Sequence, residues 1–508
     1  MAKKTQTVVN AEEKQVKATV KQKENKPHLP KVTVKKKKSV VFIGSESAPF
    51  IATGGLADVM GSLPKAIVAN GNYDVSCFIP MYSQIKQEYR EKFEFVTSFY
   101  VNLAWRKQYC GVFKYVYEGV NYFFIDNEYY FAREGKIYGH YDDGERFAFF
   151  SKACLDAISA LNINPDIVNC NDWQTAPAII YLKGMYYGDY KFKKIKTVFT
   201  IHNIEYQGWY GMNCYEDLFG FDGSLYSYIE FKDCINLMKA AIEMSDKVST
   251  VSPTYAEEIK NSFYAHGLED IIAKNSYKLC GILNGIDYDY YNPSTDTHII
   301  KNYSADDVSG KAECKLALQK LLGLPEKSDV PIVSMITRLV SHKGVDLVKQ
   351  VIEQFMTEDV QFVVLGTGDA SYEDYFKYVA GLYPNKCKAV IAFNQDLSRK
   401  IYAGSDIFLM PSKMEPCGLS QMIASRYGTV SVVRETGGLN DSIKAYYDGQ
   451  GNGFTFRDYN PYDMLYVLRS AVNTYKNSKV WANVVKNAMT SDFSWDYQAK
   501  KYEDLYEN

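Results

Sequence analysis

The stretch that decides the fold is SVVFIG at residues 39–44, followed by TGGLAD at residues 53–58. The first is a short apolar run that predicts a buried strand. After the second, apolar residues recur at helical spacing, so the paired glycines are expected to open a helix that Pro64 should kink or shift. A buried strand, a glycine turn and a helix together are the beginning of a βαβ unit.

The same alternation continues along the chain and predicts a parallel α/β sheet in each half. Short apolar runs predict strands at residues 75–80, 166–170, 197–201 and 247–251, and then at 331–336, 360–365, 389–393, 406–410 and 430–433. Residues 292–311 begin with Asn-Pro-Ser, break this pattern and are expected to join two doubly wound domains.

Composition and charge exclude several classes of protein. A chain of 508 residues with 46% hydrophobic content is neither disordered nor fibrous, and it is long enough for two or three domains at about 150 residues each. No run approaches about 18 uninterrupted apolar residues, so no membrane span is expected. The ten cysteines are scattered without a CxxC pair, which predicts neither a metal site nor a disulfide framework.

Residues 1–38 differ from the rest of the chain, since they hold 12 Lys and 3 Glu, a net charge of +9. We expect a disordered basic leader that joins no core. It has neither the apolar segment of a signal peptide nor the Arg and Ser of a transit peptide, so the cytoplasm is the expected location. A basic leader suits polyanions in general, but neither nucleic acid nor a membrane is expected as a partner.

Candidate anion-binding residues follow the predicted strands of the second half. Arg338 ends one strand and Lys343 follows it, so a strand-to-helix loop would place both cations where open α/β sheets bind ligands. A guanidinium and an ammonium suit a pyrophosphate, although solvated surface cations explain them equally well. The glycines at 54–55, 366 and 437–438 are compatible with a phosphate site or with tight turns alone. None of these sites has the pattern GxGxxG or a Walker lysine, which disfavours redox chemistry and P-loop hydrolysis.

Two further side chains stand at predicted strand ends. His202 follows the strand at 197–201; a lone histidine is usually structural, and its place at a strand end beside Asn203 is also compatible with a ligand contact. Glu415 follows the strand at 406–410, where a carboxylate can bind sugar hydroxyls or stabilise positive charge at a reacting carbon. It can also simply cap the next helix. We expect Glu415 to matter more for turnover than for stability.

Taken together, eight motifs in order resemble those of the bacterial glycogen synthase and plant starch synthase family, over residues 39–508. They are TGGLADV at 53–59, NDW at 171–173, HN at 202–203 with YQG at 206–208, VSPTY at 251–255, LNGID at 283–287, RL at 338–339 with KG at 343–344, EPCGL at 415–419, and TGGL at 436–439.

The resemblance implies an α/β protein of the GT-B fold, with two Rossmann-like domains facing a central cleft. Residues 39–295 would form the acceptor-side domain, residues 296–485 the nucleotide-sugar domain, and residues 486–508 a helix that returns to the first domain. The implied reaction transfers glucose from ADP-glucose to the non-reducing end of an α-1,4-glucan, glycogen or starch, with retention of configuration. No metal and no cofactor are implied.

The resemblance also implies roles for individual residues. Arg338 and Lys343 would hold the diphosphate, His202 would contact the glucosyl group, Glu415 would bind or support that group, and Asp172 would serve the acceptor side. The implied donor-binding positions are Gly54, Gly55, Asp58, Asn203, Asn284, Gly366, Gly418, Leu419, Thr436, Gly437 and Gly438. Since no nucleophile is evident, same-side attack guided by the departing phosphate is the expected mechanism.

One position departs from the family pattern. The family motif is Lys-Thr-Gly-Gly-Leu, and Ala52 stands here in place of its lysine. The missing cation predicts weaker donor binding, a different nucleotide preference, or replacement by another cation. Two other functions therefore stay open: a UDP-glucose-dependent retaining GT-B enzyme and an inactive glucan-binding homologue. A phosphorylase would need a pyridoxal-phosphate lysine, which the sequence does not place.

Overall fold

The computed structural model describes residues 37–508, which form three sheets. In chain order the strands are β1 (Lys38–Ile43), β2 (Tyr73–Pro80), β3 (Glu94–Leu103), β4 (Arg106–Tyr117), β5 (Val120–Asp126), β6 (Ile167–Asn171), β7 (Lys196–Ile201), β8 (Trp209–Gly211), β9 (Glu230–Phe231), β10 (Cys234–Asn236), β11 (Lys247–Thr250), β12 (Leu279–Gly281), β13 (Ile332–Ile336), β14 (Gln361–Leu365), β15 (Cys387–Val390), β16 (Ile407–Met410), β17 (Val430–Arg434) and β18 (Gly453–Phe456). The predicted leader lies outside the described residues except for its last two, and Lys38 already belongs to β1.

Helices connect these strands. They are α1 (Gly55–Asn70), α2 (Gln87–Arg90), α3 (Glu128–Phe131), α4 (Asp143–Ala160), α5 (Ala176–Gly184), α6 (Cys214–Asp217), α7 (Tyr226–Ile229), α8 (Leu237–Met244), α9 (Pro253–Glu258), α10 (Ser262–Ala265), α11 (Glu269–Lys274), α12 (Ser309–Leu322), α13 (Val345–Phe355), α14 (Ala370–Leu382), α15 (Gln395–Gly404), α16 (Ser420–Arg426), α17 (Gly437–Ser442), α18 (Pro461–Tyr475), α19 (Ser478–Thr490) and α20 (Trp495–Glu507). Short 3-10 turns cover Gly223–Leu225, Ser276–Lys278 and Ser341–Lys343. None of the helices within residues 37–508 has the length and apolar character needed to span a membrane.

The first large sheet has nine strands in the order β12-β11-β7-β6-β1-β2-β5-β4-β3. The strands from β12 to β5 are parallel, as the sequence predicts for β1, β2, β6, β7 and β11, whereas β5 and β12 were not predicted. β4 pairs antiparallel with both β3 and β5. The apolar-run criterion missed β3 and β4 because most of their residues are exposed or half-buried: β3 has two buried residues, and β4 has one run of three. A small antiparallel sheet, β8-β10-β9, accompanies it.

The second large sheet has six parallel strands in the order β15-β14-β13-β16-β17-β18. All five strands predicted in this half are present, but the one expected at 389–393 lies earlier, at Cys387–Val390. β18 was not predicted. The two parallel sheets confirm the α/β class and bring the ends of adjacent strands together.

Helix α1 begins at Gly55, which confirms that the glycine pair opens a helix. Its buried face includes Leu56, Met60 and Leu63, at the expected spacing. Pro64, which is expected to kink or shift the helix, lies inside it, and the helix continues to Asn70.

The C-terminal helix α20 packs against α1 of the first half. The Tyr506 hydroxyl accepts a hydrogen bond from the Asn169 side chain (3.1 Å), and the Tyr73 hydroxyl donates to Glu507 (2.7 Å). Just before α20, the Phe493 carbonyl accepts a hydrogen bond from the N–H of Ile286 in the first half (2.8 Å). The expected boundary at residue 485 falls inside α19, and the chain leaves that helix only after Thr490.

Candidate active site

The loops after β6 and β7 are joined by Asp172. Its Oδ1 accepts hydrogen bonds from the backbone N–H groups of His202 (2.7 Å) and Asn203 (3.3 Å). Asp172 itself has a φ of +58°, a left-handed conformation that is uncommon for residues other than glycine and is found preferentially at functional sites. The structure thus brings three of the predicted site residues together and gives Asp172 the task of organising them.

His202 is held as a neutral imidazole. Burial lowers its pKa to about 3. The Asn171 side-chain amide donates to the Ile43 carbonyl (3.0 Å), so its oxygen faces Nε2 of His202 (2.9 Å) as an acceptor. The proton therefore lies on Nε2, and Nδ1 is a hydrogen-bond acceptor suited to a sugar hydroxyl.

Glu46 is a candidate residue that the sequence reasoning missed. It lies in the loop after β1, is 3% exposed, and accepts hydrogen bonds on Oε2 from the N–H (2.6 Å) and hydroxyl (2.8 Å) of Thr53. Burial raises its pKa to about 7, and burial likewise raises that of Asp172 to about 7, with a further contribution from the charge of Glu46. The rule that drew attention to His202, a polar side chain at the end of a buried strand, also selects Glu46.

The glycine pair that opens α1 faces open space. Gly54 and Gly55 are exposed, and a Cβ added at either would meet nothing within 4 Å. Asp58, one turn into the helix, has a raised pKa because nearby protein desolvates it and Asp287 adds negative charge.

In the second half, Lys343 and Glu415 are paired. The Lys343 ammonium lies 2.9 and 2.7 Å from the two carboxylate oxygens of Glu415, which is 6% exposed, and the Ser412 hydroxyl donates to Oε2 (2.9 Å). Gly344 makes this approach possible: its φ is +75°, and a Cβ there would lie 2.1 Å from the Pro411 carbonyl oxygen. The loops after β13 and β16 are therefore packed backbone to backbone.

Arg338 is exposed beside this pair, in the loop after β13. Its neighbour Leu339 accepts a hydrogen bond from Asp369 N–H (2.8 Å) and donates its own N–H to the Thr367 carbonyl (2.9 Å). A Cβ at Gly366 would lie 1.8 Å from the Thr337 carbonyl oxygen. Gly366 is thus required for the packing that positions the Arg338 loop.

The second TGGL motif is used differently from the first. A Cβ at Gly437 or Gly438 would lie 2.0 Å from the Glu415 carbonyl oxygen or 2.1 Å from that of Cys417. The N–H of Gly437 donates to Glu258 (3.0 Å), and that of Gly438 to the Glu415 carbonyl (3.1 Å). These N–H groups donate to acceptors within the protein. The two copies of the motif therefore have the same sequence but different surroundings: the first faces open space, and the second is packed against the loop that contains Glu415.

Three other predicted donor-binding residues lie around this loop. Gly418 has a φ of +71° and, with Leu419, immediately precedes α16. Asn284 is 3% exposed, and its side-chain oxygen has no hydrogen-bond partner among the described residues.

Within residues 37–508 no group of three His, Cys, Asp or Glu side chains is arranged to hold a metal ion.

Hydrogen bonds connect the two groups of loops. The Thr254 N–H and hydroxyl donate to the Asp441 carboxylate (2.8 and 2.7 Å), and the Thr436 hydroxyl donates to Glu258 (2.8 Å). The Ser252 hydroxyl donates to the Pro416 carbonyl (2.6 Å). We call these contacts between α9 and its neighbours and residues 416–441 the latch.

Comparisons with known proteins agree in covering both halves. Residues 39–274 match the family model described as starch synthase catalytic domain, and residues 323–488 match glycosyl transferases group 1. The chain is 47% identical over 475 residues to a glycogen synthase of Clostridium novyi (92% of this chain, 99% of that protein). It is 46% identical over 471 residues to a glycogen synthase of Ligilactobacillus salivarius (92% and 99%).

Solved structures give the same picture. The catalytic domain of starch synthase IV from Arabidopsis thaliana, bound to ADP and acarbose, aligns with a TM-score of 0.85 and 34% identity, covering 93% of this chain and 99% of that one. A sucrose-phosphate synthase from Thermosynechococcus elongatus aligns with a TM-score of 0.58 at 15% identity, covering 93% and 98%, and shares the fold alone.

Proposed function

The chain belongs to the glycogen and starch synthase family of GT-B glycosyltransferases, and from that premise we propose that its donor is ADP-glucose and its acceptor the non-reducing end of an α-1,4-glucan. The anomeric configuration is retained, and the reaction takes place in the cytoplasm. We divide the chain at about residue 295, between the two large sheets.

One observation carries this proposal: the cationic loop of the second half, which contains Arg338 and Lys343, lies near the loop of the first half that contains His202 and Glu205. Burial lowers the pKa of His342, and the charges of Lys343 and Arg338 lower it further. Glu205, three residues beyond His202, acts on the same imidazole in the opposite sense. A donor with a diphosphate at one end and a glucosyl group at the other fits between such loops.

The proposed roles follow from these positions. Arg338 and Lys343 bind the diphosphate and stabilise the negative charge that grows on it as the glycosidic bond breaks. Neutral His202 accepts a hydrogen bond from a glucosyl hydroxyl at Nδ1, and Asp172 fixes the loop that carries this histidine. Glu415 orients the Lys343 ammonium and supports the glucosyl group, while Gly54 and Gly55 offer open backbone to the donor.

Incorporation of labelled glucose into a glycogen primer, with ADP-glucose and UDP-glucose compared at equal concentration, tests the proposal. We expect incorporation from ADP-glucose at a higher kcat/KM. Preference for UDP-glucose would replace the proposed donor, and no incorporation from either would remove the activity itself.

A further inference from the structure

The turn before α1 is held by one buried carboxylate. Glu46 accepts both the N–H and the hydroxyl hydrogen of Thr53 on the same oxygen, at 2.6 and 2.8 Å. Thr53 directly precedes Gly54 and Gly55, whose open faces we assign to the donor. These two hydrogen bonds are therefore a direct link between the core of the first half and the exposed glycine turn.

The side chain at position 52 supplies no anchor of its own. Ala52 is exposed and has only a methyl group, while Ile51 pairs with Ser47 through two backbone hydrogen bonds (3.1 and 2.9 Å). Between Ile51 and helix α1, the side-chain hydrogen bonds that hold the turn come from Glu46. A carboxylate that accepts a backbone N–H forms a strong, directional contact.

Glu46 also lies among other acidic groups. The titratable groups that face it are Asp58 from α1, Asp172 from the loop after β6, Tyr138 from the loop before α4, and Tyr82 from the loop after β2. Burial raises the pKa of both tyrosines, so they are neutral, and the Tyr138 hydroxyl favours the charged form of Glu46 by hydrogen bonding. The repulsion of like charges is therefore confined to the carboxylates of Glu46, Asp58 and Asp172. The charge of Glu46 helps to raise the pKa of Asp172, which organises the His202 loop.

We propose that Glu46 is a positioning residue for transfer: its hydrogen bonds to Thr53 fix the glycine turn toward the donor. The charge of Glu46 also acts on Asp172, as a secondary electrostatic coupling. This rests on the proposed function, since the donor assigned to the turn is ADP-glucose. Glu46 acts through Thr53 and Asp172 and is not itself a catalytic residue.

Two substitutions separate the hydrogen bonds from the charge. Glu46→Ala removes both, whereas Glu46→Gln keeps an acceptor of the same shape and removes only the charge. Glu94→Gln, at an exposed position on β3, is the matched control. Three readouts are compared: hydrogen exchange of residues 51–58, affinity for ADP by calorimetry, and KM against kcat for ADP-glucose at several pH values.

For Glu46→Ala we expect faster exchange at residues 51–58, and a loss of roughly tenfold in ADP affinity with a matching rise in donor KM, as loss of one charge-assisted contact predicts. Glu46→Gln should restore most of the exchange protection and affinity. Its acid limb of activity should shift to lower pH, because removal of the Glu46 charge lowers the pKa of Asp172. The control should match wild type throughout.

Wild-type exchange and ADP affinity in Glu46→Ala would overturn the positioning role, and an unshifted acid limb in Glu46→Gln would overturn the coupling. If the wild-type protein makes no glucan, the proposed function fails separately, because exchange and ADP affinity still decide the role of Glu46. If Glu46→Ala does not fold, Thr53→Val, which loses only the hydroxyl hydrogen bond, replaces it. It should show the same changes to a smaller extent, and wild-type behaviour in this variant would contradict the proposal.

Discussion

The ammonium of Lys343 contacts both carboxylate oxygens of Glu415, at 2.9 and 2.7 Å, where the loops after β13 and β16 meet. Because Glu415 is 6% exposed and also accepts a hydrogen bond from Ser412, it is part of the packed edge of the sheet. A role limited to capping the next helix does not describe it. If Lys343 binds the diphosphate and Glu415 the glucosyl group, as we propose, this ion pair couples the two binding sites.

Substitution of Glu415 should affect both turnover and stability. Glu415→Ala leaves the Lys343 ammonium without its partner, which costs about 1–3 kcal/mol, so both kcat and the melting temperature should fall. Glu415→Gln retains an acceptor and should lose turnover with a smaller loss of stability. The sequence predicts that Glu415 matters more for turnover than for stability, and its burial adds a loss of stability to that expectation. Glu326→Ala, at an exposed position, is the control, and wild-type kcat in both Glu415 variants would exclude a role in transfer.

Asp172 should set the acid limb of activity. Its pKa is raised to about 7, mainly by burial, so activity should fall as pH drops below about 7, and in Asp172→Asn this limb should disappear or move. His202, with a pKa of about 3, stays neutral throughout this range. The limb is measured as kcat/KM from pH 5 to 9, and an identical limb in wild type and Asp172→Asn would contradict the assignment.

The same shift predicts a pH dependence of stability. A carboxyl whose folded pKa lies above its unfolded value stabilises the fold at low pH and loses that contribution as pH rises through the folded pKa. Asp172→Asn, which cannot ionise, should therefore gain melting temperature relative to wild type as pH rises from 5 to 8. A constant difference across this range would mean that Asp172 has an ordinary pKa.

Ala52→Lys tests the departure from the family pattern. If Arg338 and Lys343 now hold the diphosphate without help, the restored cation should strengthen donor binding by about 1.5–3 kcal/mol, roughly ten- to hundredfold. If another group already fills that place, the added like charge should weaken binding. Donor titration of both proteins decides, and unchanged affinity would show that position 52 does not reach the donor.

The latch should support the closed arrangement of the two halves. Glu258→Ala leaves the Thr436 hydroxyl and the Gly437 N–H without their acceptor, which should raise the donor KM and enlarge the particle in small-angle scattering with ADP bound. Glu257→Ala removes the exposed neighbouring carboxylate and should do neither. Equal effects of the two substitutions would show that the hydrogen bonds of Glu258 do not hold the two halves together.

The α/β class and most central strands could be predicted because buried parallel strands are short apolar runs, such as residues 39–44. The edge strand β3 and its neighbour β4 could not, since most of their residues are exposed or half-buried. The continuation of α1 through Pro64 depends on tertiary packing. Leu63 and Ile67 are buried on either side of the proline, and this packing overrides the local tendency of proline to end a helix.

The sequence predicted which strand ends carry the site residues, but it did not predict which loops contact one another. The positions of Arg338, His202 and Glu415 follow from the rule that ligands bind at the carboxyl edge of a parallel sheet. That Gly437 packs on the Glu415 carbonyl while Gly55 faces open space depends on which loops are neighbours, and two identical TGGL motifs contain no information on that. Glu258 lies three residues after the VSPTY motif and had no local signal of its own.

The most direct test of the central claim is the NMR spectrum of the product made from 13C-glucose-labelled ADP-glucose and a maltooligosaccharide primer. We predict new α-1,4 anomeric signals, with the label at the non-reducing end and little free glucose. β-linked product, free labelled glucose as the main product, or an unlabelled primer would contradict the account.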